Sequence, residues 1–306
     1  MSSAPAERGR AAWSLVSFNV GGDAGVGIQR RDGAVVRGDG LGRTDLAAVI
    51  ARWEQASATI RNLDPESLPV VEGARIQAPL ADPGKVICCG ANFFGHLREM
   101  GIEDVPPSDG SARPFFFLKP RTSIIGPGNA IRVPASWREA GIDWEAELGV
   151  VIGKRARRIG ADHALEHVAG YTIVNDVTAR GKLQRPDAIA PPFAFDWFSS
   201  KGPDTFCPVG PGVVPSWFVG DPNDLGIRLW VNDELKQDSS TADMVVGVED
   251  QIAAISEVMT LEPGDLIATG TPAGVGKPRG EFLAPGDKIR IEVEKVGILS
   301  NPVEEE

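Results

Sequence analysis

The stretch Asp143-Trp-Glu145-Ala-Glu147-Leu-Gly-Val-Val-Ile-Gly153 runs an acidic segment straight into an apolar one. Leu148 to Ile152 is short and β-branched, which reads as a strand. On an extended chain, residues two apart project to the same side, so Glu145 and Glu147 converge. Two carboxylates drawn together out of water repel each other and lose hydration, a costly arrangement unless a cation compensates.

A third acid stands in Asn175-Asp176-Val-Thr-Ala-Arg180, which follows the apolar run Gly170 to Val174. Asp176 at a strand end is a candidate third ligand. Three oxygen donors without histidine suit Mg²⁺ or Mn²⁺, with Ca²⁺ also admissible, better than zinc. Solvated acids at strand ends give the same pattern, and spacing alone does not separate the two readings.

Outward from this segment, short apolar stretches dominate: Val86-Ile87, Tyr171 to Val174, Ile227 to Val231, Leu266 to Ala268 and Lys288 to Val293. Pro-Gly-Asp at 263–265 and again at 285–287 marks turns entering strands. Helical periodicity is confined to Leu46 to Ile60, Ala161 to Val168 and Ser240 to Val258, the last opening on Ser and Thr residues able to cap it. The expected class is a mixed, β-rich α+β fold. Trp13 to Val20 reads as a strand, and the Pro-rich 77–84 segment as a linker. Together these suggest a small N-terminal domain with its linker over 1–80 and a larger unit over 81–306.

The 36 glycines and 24 prolines in 306 residues favour many turns and show no repeat period. A net charge of -11 argues against a nucleic-acid or anionic-lipid footprint. No apolar run reaches the roughly 18 residues of a membrane span, and the polar start MSSAPAERGR lacks a secretory core, so cytoplasmic residence is expected. Cys88, Cys89 and Cys207 have neither disulfide nor zinc spacing and read as buried thiols. His163 and His167 lie four apart and are a rival metal pair, but without a partnering Glu or Cys they read as solvent-facing. Gly21 to Gly27 lacks the Gly-Lys-Ser/Thr ending of a phosphate loop and reads as a hairpin turn.

Taken with other segments, the carboxylate stretch resembles the fumarylacetoacetate hydrolase family from about Lys85 to the C-terminus. The resemblance rests on Gly90-Ala-Asn92-Phe-Phe-Gly-His96-Leu-Arg-Glu99, Asp143-Trp-Glu-Ala-Glu147, Asn175-Asp-Val-Thr-Ala-Arg180, Lys201 before Phe206-Cys-Pro-Val-Gly-Pro211, and Thr269-Gly-Thr-Pro-Ala-Gly274, in the family's order. The pattern is similar to the smaller acylpyruvase and 2-hydroxyhepta-2,4-diene-1,7-dioate isomerase-like members. It implies a β-roll catalytic domain, a homodimer, and Glu145, Glu147 and Asp176 as metal ligands.

His96 and Glu99, three apart on a helical turn, form a dyad that fixes the imidazole tautomer and raises its basicity. A matching pair lies on a lid in smaller members, and the Pro- and Gly-rich 101–114 segment has the composition of such a lid or of an ordinary loop. Lys201, Arg180 and Gln184 are candidates to polarise a carbonyl or hold an oxyanion. Gln184 departs from the family's Arg-Asp-x-Gln, since this chain reads Arg180-Gly-Lys-Leu-Gln184. A second departure is the apolar insertion Ala190 to Phe198, placed to line the pocket or a dimer interface. By resemblance, Lys119 matches a Phe-x-Lys signature and Thr271 binds a substrate carboxylate.

The expected activity is hydrolytic carbon–carbon cleavage of a small anionic acylpyruvate-like 1,3-dioxo acid, in catabolism of aromatic or related carboxylic acids. Decarboxylation, isomerisation, tautomerisation or hydration of a 2-oxo acid are the alternatives. A noncatalytic, metal-stabilised interaction protein would need neither the His96–Glu99 pair nor Lys201.

Overall fold

The computed structural model describes residues 13–37, 41, 45–104 and 112–306. Half of the expected 101–114 lid, residues 105–111, lies outside the described residues. Among the described residues no helix is long and apolar enough to cross a membrane.

The fold is a strand-rich α+β arrangement built on one large sheet. Its main path runs Val35–Val36, Asp23–Arg30, Trp13–Val20, Cys207–Pro215, Val168–Asn175, Ala146–Ile152, Leu266–Ala268, Val86–Gly90 and Phe115–Lys119. Neighbours on this path pair antiparallel except Leu266–Ala268 with Val86–Gly90. A second sheet of five strands, Glu234–Ser240, Gly226–Val231, Lys288–Val293, Gly297–Glu305 and Ile131–Val133, packs against it.

The continuous apolar run of Ala146–Ile152 follows from its central place in the large sheet. Leu148, Val150 and Ile152 point into a core shared with Ile227, Leu229, Ile291 and Leu299 of the second sheet. Val151 points the other way, into a core with Leu15, Ile28, Leu46, Ile50 and Trp53. Both faces are covered, so alternation of polar and apolar residues is lost. Each such side chain contributes about 1.5–3 kcal/mol on burial.

The N-terminal strand Trp13–Val20 joins the large sheet through Leu15 opposite Val213. It forms a hairpin with Asp23–Arg30, turned by Gly21 and Gly22 at φ 60° and 99°, backbone that glycine adopts without penalty. Residues from both sides of position 80 therefore contribute to one hydrophobic core.

The helices are shorter than their periodicity suggests. Leu46 to Ile60 divides into Leu46–Ile50 and Trp53–Arg61. Ala161–Ala164 gives way to a 3₁₀ turn before the strand at Val168. The helix expected from Ser240 starts only at Val248, after Gly247. Ser240 instead ends a strand and caps a 3₁₀ turn by accepting from Ala242 N. The Val246 backbone is taken by Asn92, which accepts from its N–H at 2.9 Å and donates to its C=O at 3.0 Å, so helical bonding cannot begin there.

Candidate metal centre and active-site cavity

Glu145 immediately precedes the strand Ala146–Ile152, and Glu147 is its second residue. Asp176 follows directly on the neighbouring strand Val168–Asn175. Ala146 stands opposite Asn175 in the ladder, and Asp176 N donates to Glu145 O at 3.0 Å. This register delivers the three acids to one point, with one oxygen of each within 4.8 Å of the others. All three are buried, at 5%, 1% and 1% exposure for Glu145, Glu147 and Asp176.

Cations partly neutralise them. Lys201 Nζ donates to Glu145 Oε2 at 2.7 Å and to Asp176 Oδ2 at 2.6 Å. Arg180 Nη2 lies 2.7 Å from Glu145 Oε1, and Lys119 Nζ lies 2.7 Å from Asp176 Oδ1. Glu147 accepts from Gly270 N at 2.8 Å and has no ion pair among the described residues. Burial, reinforced by the charges of Asp176 and Glu145, pushes its carboxyl well above the ordinary 4.5. Burial also opposes ionisation of Glu145, but Lys201 and then Arg180 outweigh it and hold that carboxyl at about 2. Burial disfavours the Lys201 ammonium, yet Asp176 and Glu145 raise it above its ordinary value. Buried oxygen donors of this number, one lacking a cation, fit a hard divalent ion and offer zinc no nitrogen or sulfur.

A cavity of about 520 Å³ opens on this cluster, lined by Glu145, Glu147, Asp176, Lys201, Arg180, His96, Gln184 and Thr271. His96, 6% exposed, sits on the short helix Phe94–Glu99, with Nδ1 3.2 Å from Glu99 Oε2. An ionised carboxylate only accepts, so Nδ1 carries the hydrogen and Nε2 is the basic nitrogen. Burial works against ionisation of Glu99, but bonds from His96 and Gly274 N hold it below its ordinary value. Gly274 N approaches Glu99 at 3.0 Å, in a turn at φ 104° where a Cβ would strike Lys236 O at 2.1 Å.

The sequence-selected residues are not equally placed. Lys119 does not line the cavity; it braces Asp176 and donates to Val177 O at 3.0 Å. Gln184 is exposed at the rim. Thr271 Oγ1 accepts from Gln237 Nε2 at 2.9 Å. His163 and His167 do not form a metal site: His163 pairs with Glu166 at 3.2 Å, and His167 Nδ1 lies 3.2 Å from Lys154 O. The three cysteines are free and buried, and burial pushes Cys207 up to about 12.

Two residues escaped sequence reasoning. Asp143, fully buried, accepts from Arg180 Nε, Gly276 N and Lys277 N at 2.7, 2.6 and 3.1 Å. Gln237, also fully buried, accepts from Ala146 N at 3.0 Å while holding Thr271 and Pro272 O. An acid two residues ahead of Glu145 was a signal for the first. Nothing local marked the second.

A buried acid triad at strand ends, with His96 lining the same cavity, is a set of oxygen donors that could hold a hard cation beside a basic side chain. The family model described as fumarylacetoacetate (FAA) hydrolase C-terminal matches residues 85–304, and the chain belongs to the fumarylacetoacetate hydrolase family. It is 42% identical over 228 residues to a mitochondrial oxaloacetate tautomerase of Xenopus laevis, covering 74% of this chain and 67% of that protein. Among solved structures, a fumarylacetoacetate hydrolase from Exiguobacterium antarcticum superposes with a TM-score of 0.81 at 34% identity, covering 96% of this chain and 100% of that one. Maleylpyruvate hydrolase from Sphingobium sp., in complex with manganese (II) and pyruvate, superposes at 0.76 and 29% identity, covering 95% and 99%.

Proposed function

We propose that this chain is a divalent-metal-dependent hydrolase that cleaves a carbon–carbon bond in an acylpyruvate-like 1,3-dioxo acid. The observation that carries the reading is one cavity of about 520 Å³ where the acid triad, Lys201, Arg180 and His96 meet. Its volume leaves room beyond a four-carbon acid. Glu145, Glu147 and Asp176 hold Mg²⁺ or Mn²⁺, which when bound supplies Lewis-acid polarisation of the substrate's oxygens.

The chain's own groups do the rest. His96 Nε2 takes a proton from water as the water oxygen bonds to the acyl carbonyl carbon. Lys201 and Arg180 donate to the oxyanion that forms there. When the carbon–carbon bond breaks, its electron pair passes to the three-carbon fragment, and His96 returns the proton to that fragment's methylene carbon. The products are a free carboxylic acid and pyruvate. Thr271 and Gln184 contact the substrate carboxylate, and Lys119 holds Asp176 in place.

Acetylpyruvate offered to Mn²⁺-loaded protein tests this reading. Metal-dependent release of pyruvate and acetate in equal amounts is expected, and pyruvate with carbon dioxide from oxaloacetate alone would point to a decarboxylase instead. The similarity to an oxaloacetate tautomerase favours a second reading, in which His96 moves a proton between carbon and oxygen of a 2-oxo acid without water. Decay of enol absorbance with no fragment released identifies that case. A homodimer is part of the proposal, supported by Leu118 at 57% exposure on the edge strand Phe115–Lys119 and Phe198 at 83%. Light scattering of the purified protein checks it.

A further inference from the structure

The segment between Leu183 and Trp197 is drawn back on itself beside the cavity mouth. Arg185 N donates to Ala194 O at 2.8 Å and Asp196 N to Leu183 O at 2.7 Å, and Gln184 and Phe195 form a bridge. This strap leads into the short helix Trp197–Lys201, capped by Asp196, which accepts from Ser199 N at 2.8 Å. Trp197 and Lys201 are four residues apart, hence on one helix face, and both line the cavity. One side chain reaches the acid cluster and the other an aromatic wall.

Lys201 Nζ lies over the Phe117 ring at 5.2 Å, and Phe117 stacks on Trp197 with centroids 5.0 Å apart and planes 29° apart. Phe195, 57% exposed, and Leu183 line the same cavity from the strap. A small oxo acid anchored at the triad presents no ring to this surface. A planar substituent directed away from the triad would lie on it and lose its water to ring faces.

We propose that Phe117, Trp197 and Phe195 form a tail subsite that selects oxo acids bearing an aryl or conjugated substituent on the acyl carbon. The inference rests on the oxo-acid reading of the cavity and adds the substrate class. Trp197 and Phe195 are specificity-determining residues supplied by the strap.

The test compares benzoylpyruvate with acetylpyruvate on Mn²⁺-loaded protein. Wild type is expected to favour the benzoyl substrate by about tenfold or more in kcat/KM, the order of one well-stacked ring. Trp197→Ala is expected to collapse that ratio toward one, chiefly by raising KM for the benzoyl substrate, while Trp197→Phe retains most of it. Should Trp197→Ala fail to fold, Phe195→Ala at its more exposed position must lower the ratio. A wild-type ratio near one, or a ratio unmoved by these variants, overturns the subsite. Calorimetric binding of phenylpyruvate against pyruvate separates the two proposals. Tighter phenylpyruvate binding lost in Trp197→Ala, with no dioxo acid cleaved, keeps the subsite and sinks the hydrolase. Cleavage with no aryl preference in turnover or binding does the reverse.

Discussion

Asp143 Oδ2 receives Arg180 Nε at 2.7 Å, and the same carboxylate takes the backbone N–H groups of Gly276 and Lys277. One buried acid thus positions a cation of the cavity and the loop whose Val275, Lys277 and Pro278 help to line it.

Asp143→Asn keeps the shape and removes the charge. Breaking a buried pair from one side costs about 3–5 kcal/mol, and Arg180, freed from its anchor, no longer holds its donors toward Glu145. The expected outcome is a lower urea midpoint together with a kcat/KM reduced by at least about tenfold. Wild-type values for both would remove Asp143 from its positioning role.

Lys201→Met takes the ammonium from between Glu145 and Asp176. The cluster becomes more negative, so Mn²⁺ affinity measured by calorimetry is expected to hold or rise. Turnover is expected to fall by about a hundredfold or more, the scale of a lost oxyanion donor. Parallel loss of metal and activity would instead assign Lys201 to assembling the site.

Metal uptake is expected to be linked to pH through Glu147, whose carboxyl stands well above 4.5 while that of Glu145 stands at about 2. In the metal-free folded chain Glu147 keeps its proton where the unfolded chain has released one. Its contribution to metal-free stability is therefore full below the unfolded value and declines as pH rises toward the folded one. Ion binding expels that proton, so Mn²⁺ affinity climbs with pH until Glu147 ionises unaided. Calorimetry in two buffers of different ionisation heat is expected to report proton release on ion binding that shrinks as pH rises. Release of none at any pH above the unfolded carboxyl value would show that Glu147 is already ionised in the metal-free site.

His96→Ala removes the basic nitrogen and leaves the triad intact. Turnover is expected to drop by about 10²–10⁴-fold, the range of general acid–base assistance, with Mn²⁺ affinity within a factor of about two. An active, stable variant would exclude His96 from proton transfer.

What was legible from the sequence was local. Glu145 and Glu147 share a face because extended backbone has period two, and Asp176 ends the next apolar run, so their convergence needed only that the two strands pair. His96 and Glu99 meet across one helical turn. Asp143 and Gln237 act over sequence separations of 133 and 91 residues, to Gly276 and Ala146, which no periodicity encodes. Trp197 and Phe195 were visible as an apolar insertion, but only the strap's backbone bonds decide that they face the cavity. The helix expected from Ser240 was cut short by Gly247 and by the commitments of Val246 to Asn92, and the run from Leu46 divides at Ala51-Arg52.

The ladder joining Ala146 to Asn175 also determines how an ion would be felt by the rest of the molecule. An ion held by Glu145, Glu147 and Asp176 would join the ends of two adjoining strands of the large sheet, tying occupancy to the breathing of the backbone itself. Stripping the ion should therefore register first as faster amide exchange along Ala146–Ile152 and Val168–Asn175, with the outer hairpin Trp13–Arg30 largely indifferent.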